Sequence, residues 1–342
     1  MKSIILLCSV LFSNFIFAET ISSFLISKNN RNLNKISKNF EIVEKKSHSF
    51  LVYVIKERLE EFKKLAPNSK LVQQRINSNI KAATGYHSFD EVISMSKELE
   101  ATYSNLAKIE HYGTSKSGHP LFALRISSGK NVKKKLMLTS ATHGDELITV
   151  EVQLALAKNL LESYGKDNRL TEIIDNSEIY MIFVVNPEGF TRRSRYAGGI
   201  DPNRQYPWPG NPNRRTPVVA IDALMDFYKK KDFDGSIDFH AYGEMVMFPW
   251  GYTRDLINSS DHDHFSEITR DMAKSNKYKH GPISRVIYVA KGSSADFYYN
   301  HNNGVAIAVE LGRSKAPRSR KIPAVIEEAK EMTWKFLEKM VL

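Results

Sequence analysis

The sequence predicts an α/β fold, namely a mixed, largely parallel twisted sheet with helices on both faces, plus a small N-terminal α+β module. Short apolar runs alternate with helical stretches, which is typical of a largely parallel sheet buried on both faces. The runs lie near 135–141, 179–186, 235–240 and 304–311, and the clearest helical stretches are 147–164 and 218–230. A chain of 342 residues is long enough for one large domain and a small one.

Residues 1–18 predict a signal peptide. Lys2 precedes an apolar stretch, and the small Ala18 precedes a polar residue, as in a secretory signal. The stretch is at the short end for a membrane span. Ile16 stands where a smaller residue is preferred, so an uncleaved anchor is the alternative. Cys8, the only cysteine, lies in this segment, so the mature chain, secreted or periplasmic, is expected to hold no disulfide.

Residues 19–82 predict a leader followed by a small α+β module. Residues 21–40 are rich in Ser, Asn and Lys and are expected to form a loose leader. The next patterns are strand, strand, helix and strand, at 40–43, 50–55, 57–66 and 70–73. Because a module of this size is too small for robust independent folding, we expect it to pack on the large domain that comes after it in the chain.

Residues 83–342 predict the large domain. Ser88 is a candidate helix cap with Glu91 three residues later, the pattern of a capping box. Residues 108–112 and 121–126 have the pattern of a β-hairpin. The cluster Asp261-His-Asp-His264 has a spacing that suits a metal, but its polar surroundings favour a solvated loop.

Two histidines and a glutamate follow predicted strands and suggest a metal site. His143 and Glu146 come directly after the run near 135–139, and His240 ends the run 236–240. A His-x-x-Glu pair alone is weak because it also occurs by chance. Two histidines and one carboxylate with an open fourth position form the ligand set of a catalytic zinc site. Open α/β sheets place their sites at such strand ends.

Further motifs occur in an order that resembles the zinc carboxypeptidases of the carboxypeptidase A/B type. They are Asn186-Pro-Glu-Gly189, Asp201-Pro-Asn203-Arg204, Tyr288 before a Gly-Ser loop, and Glu310 on an apolar strand. Together with the histidine motifs they cover about residues 85–342. The resemblance implies the zinc carboxypeptidase fold and one Zn²⁺ ion held by His143, Glu146 and His240.

The same resemblance implies a role for each remaining motif residue. Glu310 is expected to be the general base, and Arg195 to stabilise the oxyanion. The alignment at Arg195 needs a gap in a loop, so Arg192 and Arg193 are the alternatives. Asn203 and Arg204 are expected to clamp a terminal carboxylate, because a planar guanidinium binds a carboxylate with two parallel hydrogen bonds. Tyr288 is expected to close over the substrate.

Ala295 occupies the position that helps to set side-chain preference in this family. An acid there would favour Lys or Arg ends, whereas Ala295, with Met247 on another wall, predicts a pocket without a dedicated negative charge. Asp296 is expected to anchor the loop. A carboxylate aimed into the pocket from Asp296 would reverse the preference.

The charge of the chain limits the kinds of partner that we expect it to bind. The net charge is +11, and the basic residues are spread along the chain without a long block or a known nucleic-acid motif. Specific nucleic-acid binding is therefore not expected, whereas electrostatic attraction to an acidic envelope is. After signal cleavage, no stable membrane insertion is expected.

These observations predict an exported zinc metallocarboxypeptidase that hydrolyses C-terminal peptide bonds and prefers an apolar C-terminal residue. The first alternative is a carboxypeptidase or endopeptidase of peptidoglycan stem peptides, with a muropeptide substrate. A less favoured alternative is a non-catalytic cell-wall-binding protein on the same fold. The N-terminal module loosely resembles part of a prosegment. A removable inhibitory segment and a permanently docked accessory module both stay open.

Overall fold

The computed structural model describes residues 20–33, 35–36, 40–45, 48–55, 58–76 and 85–342. The chain divides into two compact units, Met1–Lys81 and Ala82–Leu342. The predicted signal peptide, residues 1–18, lies outside the described residues. Among the described residues, no helix combines the length and the apolar character that a bilayer crossing requires.

The N-terminal unit is an antiparallel sheet with a helix. Its elements are β1 (Thr20–Ser27), β2 (Glu41–Lys45), β3 (Ser49–Ile55), α1 (Leu59–Leu65) and β4 (Lys70–Ile76). The strands are ordered β2-β3-β1-β4. Phe62 of α1 is fully buried, with its ring centroid 5.0 Å from that of Phe24 and 5.2 Å from that of Phe40. The aromatic rings therefore form the centre of a small core of their own.

Strand β1 corrects the prediction of a loose leader over residues 21–40. It pairs with both β3 and β4 and so lies inside the sheet. Ser22, Phe24 and Ile26 are buried, which is the period-2 alternation of a strand with one face on a core. The Ser, Asn and Lys content concealed this alternation because composition is averaged over a window that also includes the polar turn after Ser27.

The second unit is built on an eight-stranded sheet ordered β11-β10-β12-β9-β7-β8-β6-β5. Its strands are β5 (Ala107–Thr114), β6 (Pro120–Ile126), β7 (Lys134–Thr139), β8 (Ser177–Ile182), β9 (Gly235–His240), β10 (Met245–Phe248), β11 (Lys279–Pro282) and β12 (Val305–Glu310). Its helices are α2 (Phe89–Thr102), α3 (Leu147–Ser163), α4 (Asn168–Asn176), α5 (Pro187–Arg192), α6 (Val219–Lys231), α7 (Ser259–Ala273), α8 (Ile283–Val286), α9 (Ser294–Asn302) and α10 (Ile322–Val341).

The central strands of this sheet are parallel, as the sequence predicted. Strand β7 pairs in parallel with β8 and β9, and β9 with β12, whereas β6 runs antiparallel to both β5 and β8. Every residue of β9 is buried. Because successive side chains point to opposite faces, an unbroken buried strand requires cover on both faces of the sheet. The carboxyl ends of β7, β9 and β12 therefore meet at one edge.

The predicted solvated loop at 261–264 is wrong, because these residues lie in the first turns of α7. Asn258 caps this helix, and its Oδ1 accepts the N–H of Asp261 at 2.9 Å. The cap satisfies an N–H that has no partner within the helix. Polar residues at 258–264 thus mark a helix start rather than a loop. The predicted capping box of Ser88 and Glu91 is confirmed at the start of α2.

Candidate metal centre and substrate cleft

His143, Glu146 and His240 converge at the carboxyl ends of β7 and β9. His143 Nδ1 lies 2.9 Å from Glu146 Oε1 and 3.1 Å from His240 Nδ1. His240 Nδ1 lies 3.0 Å from the other oxygen, Glu146 Oε2. All three side chains are buried. Among the described residues, this is the one group of three or more such side chains whose candidate ligand atoms lie within 4.8 Å of one another.

The spacing of these atoms fits a single metal ion. A tetrahedral zinc ion with metal–nitrogen distances of about 2.0–2.1 Å holds its ligand atoms roughly 3.3 Å apart. The chemistry of the set also fits, because two imidazoles and one carboxylate with an open position are typical of catalytic zinc. His143, Glu146 and His240 are therefore the residues that would hold the ion.

The outer nitrogen of each histidine faces a buried or half-buried carboxylate. His143 Nε2 lies 3.2 Å from Asp201 Oδ1, and His240 Nε2 lies 3.0 Å from Asp238 Oδ2. If each Nε2 carries the proton and donates it to the carboxylate, each Nδ1 lone pair faces the metal position. Sequence reasoning assigned no role to either aspartate. Asp238 was detectable, because a residue two positions before His240 on a strand shares its face.

Glu310 lies beside His240 because the parallel ladder of β9 and β12 pairs these two residues directly. Its carboxyl group is only partly exposed. Burial raises the pKa of Glu310 to about 8, and the negative charge of Glu146 contributes to this rise. A cation held by the three ligands would lower this pKa, because it favours the ionised carboxylate. Glu310 is thus placed to accept a proton next to the metal position.

Arg195 is the arginine of its loop that reaches the metal ligands. Its Nη1 lies 3.3 Å from His143 Nδ1 and 3.8 Å from Glu146 Oε1. Nε and Nη2 both donate to Asp201 Oδ2, at 3.1 and 2.8 Å. Of the alternatives, Arg193 turns away and donates to the carbonyl oxygen of His87, and Arg192 is exposed.

Asn203 and Arg204 lie in a short 3₁₀ turn, Pro202–Arg204, beside the metal ligands. Asn203 Nδ2 lies 3.1 Å from His240 Nε2. Arg204 Nη2 donates to the hydroxyl of Tyr288 at 3.0 Å. Tyr288 is 55% exposed, so it stands at the rim of the cleft rather than in the core. One wall of the cleft therefore carries amide and guanidinium donors.

Met247 and Ala295 line the same cleft, and both are buried. The other apolar residues that line it are Ile283, Ile287, Ala290 and Ala308. Glu310 is the one carboxylate in this lining. Larger depressions lie against α10, beside α7 and beside α4, but they hold none of the converging ligands. We therefore place the substrate cleft at the strand ends.

Asp296 points away from this cleft and into the loop after β10. Its two carboxylate oxygens accept the backbone N–H groups of Gly251 and Tyr252, at 2.7 and 2.8 Å. Its side chain is fully buried. It therefore anchors the loop, as the sequence analysis expected, and supplies no charge to the pocket wall.

Two histidines and a glutamate meet at the strand ends of a mixed α/β sheet. This arrangement is typical of proteins that bind a single metal ion and leave one ligand position open. A family model described as zinc carboxypeptidase matches residues 92–332. The chain belongs to this family, and its cofactor is one zinc ion.

Individual relatives support the same assignment. Carboxypeptidase A1 of Sus scrofa is 27% identical over 273 residues, which cover 69% of this chain and 64% of that protein. Metallocarboxypeptidase A of Trichophyton rubrum is 29% identical over 253 residues, which cover 62% of this chain and 60% of that protein. The chain thus spans less than two thirds of the length of these two relatives.

Solved structures share the fold. The crystal structure of thrombin activatable fibrinolysis inhibitor matches with a TM-score of 0.70 and 20% identity, covering 95% of this chain and 99% of that one. Carboxypeptidase A from Helicoverpa armigera matches with a TM-score of 0.68 and 17% identity, covering 95% and 98%. At these identities the likeness shows the fold alone, and it confirms the zinc carboxypeptidase fold predicted from the motifs.

Proposed function

We propose that this protein is an exported, zinc-dependent metallocarboxypeptidase that removes the C-terminal residue of peptides. The observation that carries the proposal is the position of Glu310 beside three converging metal ligands, on a cleft that also contains Arg204. A metal site alone is compatible with many functions. A proton acceptor and a carboxylate clamp in one cleft are what an exopeptidase requires.

Each part of the proposed hydrolysis is assigned to a particular group in the cleft. Zinc, when bound, would supply a Lewis acid that polarises the scissile carbonyl and lowers the pKa of a bound water. Glu310 accepts a proton from the attacking water and passes it to the leaving amine. The Arg195 guanidinium stabilises negative charge on the carbonyl oxygen, an interaction that costs about 10²–10³ in rate when removed from other enzymes.

Substrate selection rests on other residues of the same cleft. Arg204 binds the terminal carboxylate of the peptide with charge-assisted hydrogen bonds, and Asn203 donates to it from its amide. Tyr288 closes over the bound residue from the rim. Burial of an apolar side chain between Met247 and Ala295 is favourable by about 25 cal/mol per Å². A Lys or Arg side chain would lose solvation there without a charged partner.

Matched peptides ending in Phe, Leu, Lys and diaminopimelate test the proposal directly. We expect higher kcat/KM for the Phe and Leu peptides than for the Lys peptide, with activity lost on chelation and restored by zinc. A clear preference for Lys refutes the apolar pocket. Activity only on diaminopimelate substrates supports the cell-wall alternative, which the carboxypeptidase A relatives do not favour. The Glu310→Gln variant is the control for contaminating peptidases.

Export is the second part of the proposal and rests on residues 1–18. We expect the chain secreted from its own cell to begin near Glu19, because Ala18 is the small residue before a polar one. N-terminal sequencing of the exported protein measures this. A chain that retains Met1 and sediments with membranes contradicts cleavage and supports the uncleaved anchor.

We also infer attraction to acidic surfaces, and we assign it to the segment after Glu310. Residues 311–326 contain no acid, and Arg318, Arg320 and Lys321 are all exposed. Changing these three residues to Gln should reduce salt-sensitive binding to an acidic polymer. The matched control replaces three other exposed lysines, Lys133, Lys230 and Lys274. Equal losses in both triple variants would mean that net charge matters rather than this surface.

A further inference from the structure

We infer that Ser294 is a positioning residue that couples the substrate clamp to the metal ligands through Asp238 and Asn203. The metal part of this inference stands on the ligand geometry, and the clamp part rests on the proposed function. Ser294 is the first residue of α9 and is almost completely buried. Neither its hydroxyl nor its backbone N–H faces solvent, so their partners determine its role.

The hydroxyl of Ser294 holds the carboxylate behind His240. Asp238 is 1% exposed, and its Oδ2 accepts the Ser294 hydroxyl at 2.5 Å and faces His240 Nε2 at 3.0 Å. Its Oδ1 accepts the hydroxyls of Thr139 and Thr142, at 2.8 and 3.1 Å. A buried carboxylate with this many donors is fixed in one orientation, and it fixes the His240 ring in turn.

The backbone N–H of Ser294 fixes the clamp residue. It donates to Asn203 Oδ1 at 2.8 Å. Because the oxygen of the amide is held there, the position of the amide nitrogen of Asn203 is fixed as well, and it lies 3.1 Å from His240 Nε2. That nitrogen is the donor proposed to bind the terminal carboxylate. The position of Ser294 thus sets both the orientation of the His240 ring and the orientation of the Asn203 amide.

The connection extends to the other histidine. Asp201 Oδ1 accepts the backbone N–H of Asn203 at 3.0 Å and faces His143 Nε2 at 3.2 Å. The hydrogen bonds therefore run behind the metal position from one ligand to the other, through His143, Asp201, Asn203, Ser294, Asp238 and His240. Loss of one link should affect both metal affinity and recognition of the terminal carboxylate.

The test compares Ser294→Ala with Ser284→Ala in the full chain. Ser284 is also buried, but its hydroxyl makes no hydrogen bond within the described residues. Zinc affinity is measured by competition with a chromogenic chelator, independently of activity. We expect about a tenfold weaker zinc Kd in Ser294→Ala, since loss of an outer partner typically costs 10–100-fold. We also expect a higher KM for peptides with a free carboxylate. Ser284→Ala should retain the wild-type zinc Kd.

Two further variants keep the inference falsifiable if Ser294→Ala folds poorly. Ser294→Thr keeps a hydroxyl on the same carbon, Cβ. Its zinc Kd should stay within about threefold of wild type, which is less than the 10–100-fold loss expected when an outer partner is removed. Asp238→Asn should weaken zinc by about 10–100-fold with a normal circular dichroism spectrum. A zinc Kd for Ser294→Ala equal to that of Ser284→Ala overturns the inference. If wild type cleaves no peptide, the proposed function fails, and the zinc measurements still decide the metal part.

Discussion

Glu310 shows how a single residue acquires its chemistry from its neighbours. Strand β12 is apolar up to Glu310, and the ladder with β9 places it directly opposite His240. Its carboxyl group is thereby partly desolvated and lies close to Glu146, and both effects raise its pKa. A metal ion beside it acts in the opposite direction. The proposed role of Glu310 as proton acceptor requires that these opposing effects leave it basic near neutral pH.

Glu310→Gln should abolish turnover while leaving zinc bound. The amide keeps the size and a hydrogen-bonding group but accepts no proton, so the loss should be at least the ~10²–10⁴ typical of general-base catalysis. The measurement pairs kcat with the zinc content of the purified variant. Turnover near that of wild type would mean that the proton goes elsewhere.

Arg204→Ala should weaken the recognition of substrates that have a free C-terminal carboxylate. The guanidinium, which now bonds the Tyr288 hydroxyl, is the proposed partner of that carboxylate. Loss of a charge-assisted, bidentate pair should raise KM far more for free peptides than for amidated ones. Wild type is compared on the same two peptides. If it cleaves amidated or internal bonds equally well, it is an endopeptidase and the clamp has another role.

The first three residues of helix α9 have different surroundings. Its first residue, Ser294, faces the metal ligands, and its third, Asp296, faces the loop that contains Gly251 and Tyr252. Ala295, between them, lines the substrate pocket. Because side chains of adjacent helical residues point in different directions, three neighbouring positions contact three different surroundings.

Asp296→Asn should cost stability without changing the preference for the terminal residue. In the variant, one of the two buried N–H donors faces an amide N–H₂ instead of an oxygen, at a cost of about 1–3 kcal/mol. Urea unfolding measures the cost, and kcat/KM ratios for Phe and Lys peptides measure the preference. Ala295→Asp is the control, because it adds an acid to the pocket wall and should raise the relative rate for Lys. A changed ratio in Asp296→Asn would place its carboxylate in the pocket.

The pH dependence of the free energy of unfolding should also reflect the protonation of Asp296. Burial raises the pKa of Asp296 to about 7, against the opposing hydrogen bonds from Gly251 and Tyr252. The folded protein then holds this proton more tightly than the unfolded chain, whose carboxyl ionises near 3.9. The stabilisation is complete below about pH 4 and is lost as the pH rises towards 7. Relative to Asp296→Asn, wild type should lose unfolding free energy between pH 5 and about 7. A constant difference would contradict the raised pKa.

The whole molecule consists of two compact units, and the function of the first is a prediction still to be tested. Its described residues include an aromatic core around Phe62. A chain that begins near Ala82 should hydrolyse peptides faster than the chain that begins at Glu19, if the first unit is a removable inhibitory segment. Equal kcat/KM values in the two chains would support an accessory module.

The sequence by itself determined the parts that local patterns encode. Apolar runs at strand length located β7, β8, β9 and β12, and the Ser88–Glu91 pair located the start of α2. The three candidate zinc ligands could also be predicted from the sequence. His143, Glu146 and His240 stand at or directly after the ends of predicted strands, and parallel strands bring their carboxyl ends to one edge. The type of side chain at a strand end suggests a metal ligand even when its neighbours in space are unknown.

The tertiary structure alone decided which groups became partners. Strands β10 and β11 have four residues each, too few for a periodic signal, and exist because a neighbouring strand completes their hydrogen bonds. Asp296 bonds Gly251, and Ser294 bonds Asp238, across long stretches of chain. Arg195 and Arg193 are two positions apart in one loop, yet only Arg195 reaches the metal ligands. Hydrogen bonds depend on distance and angle within tenths of an ångström. Such geometry is a property of the packed molecule and is absent from any local stretch of sequence.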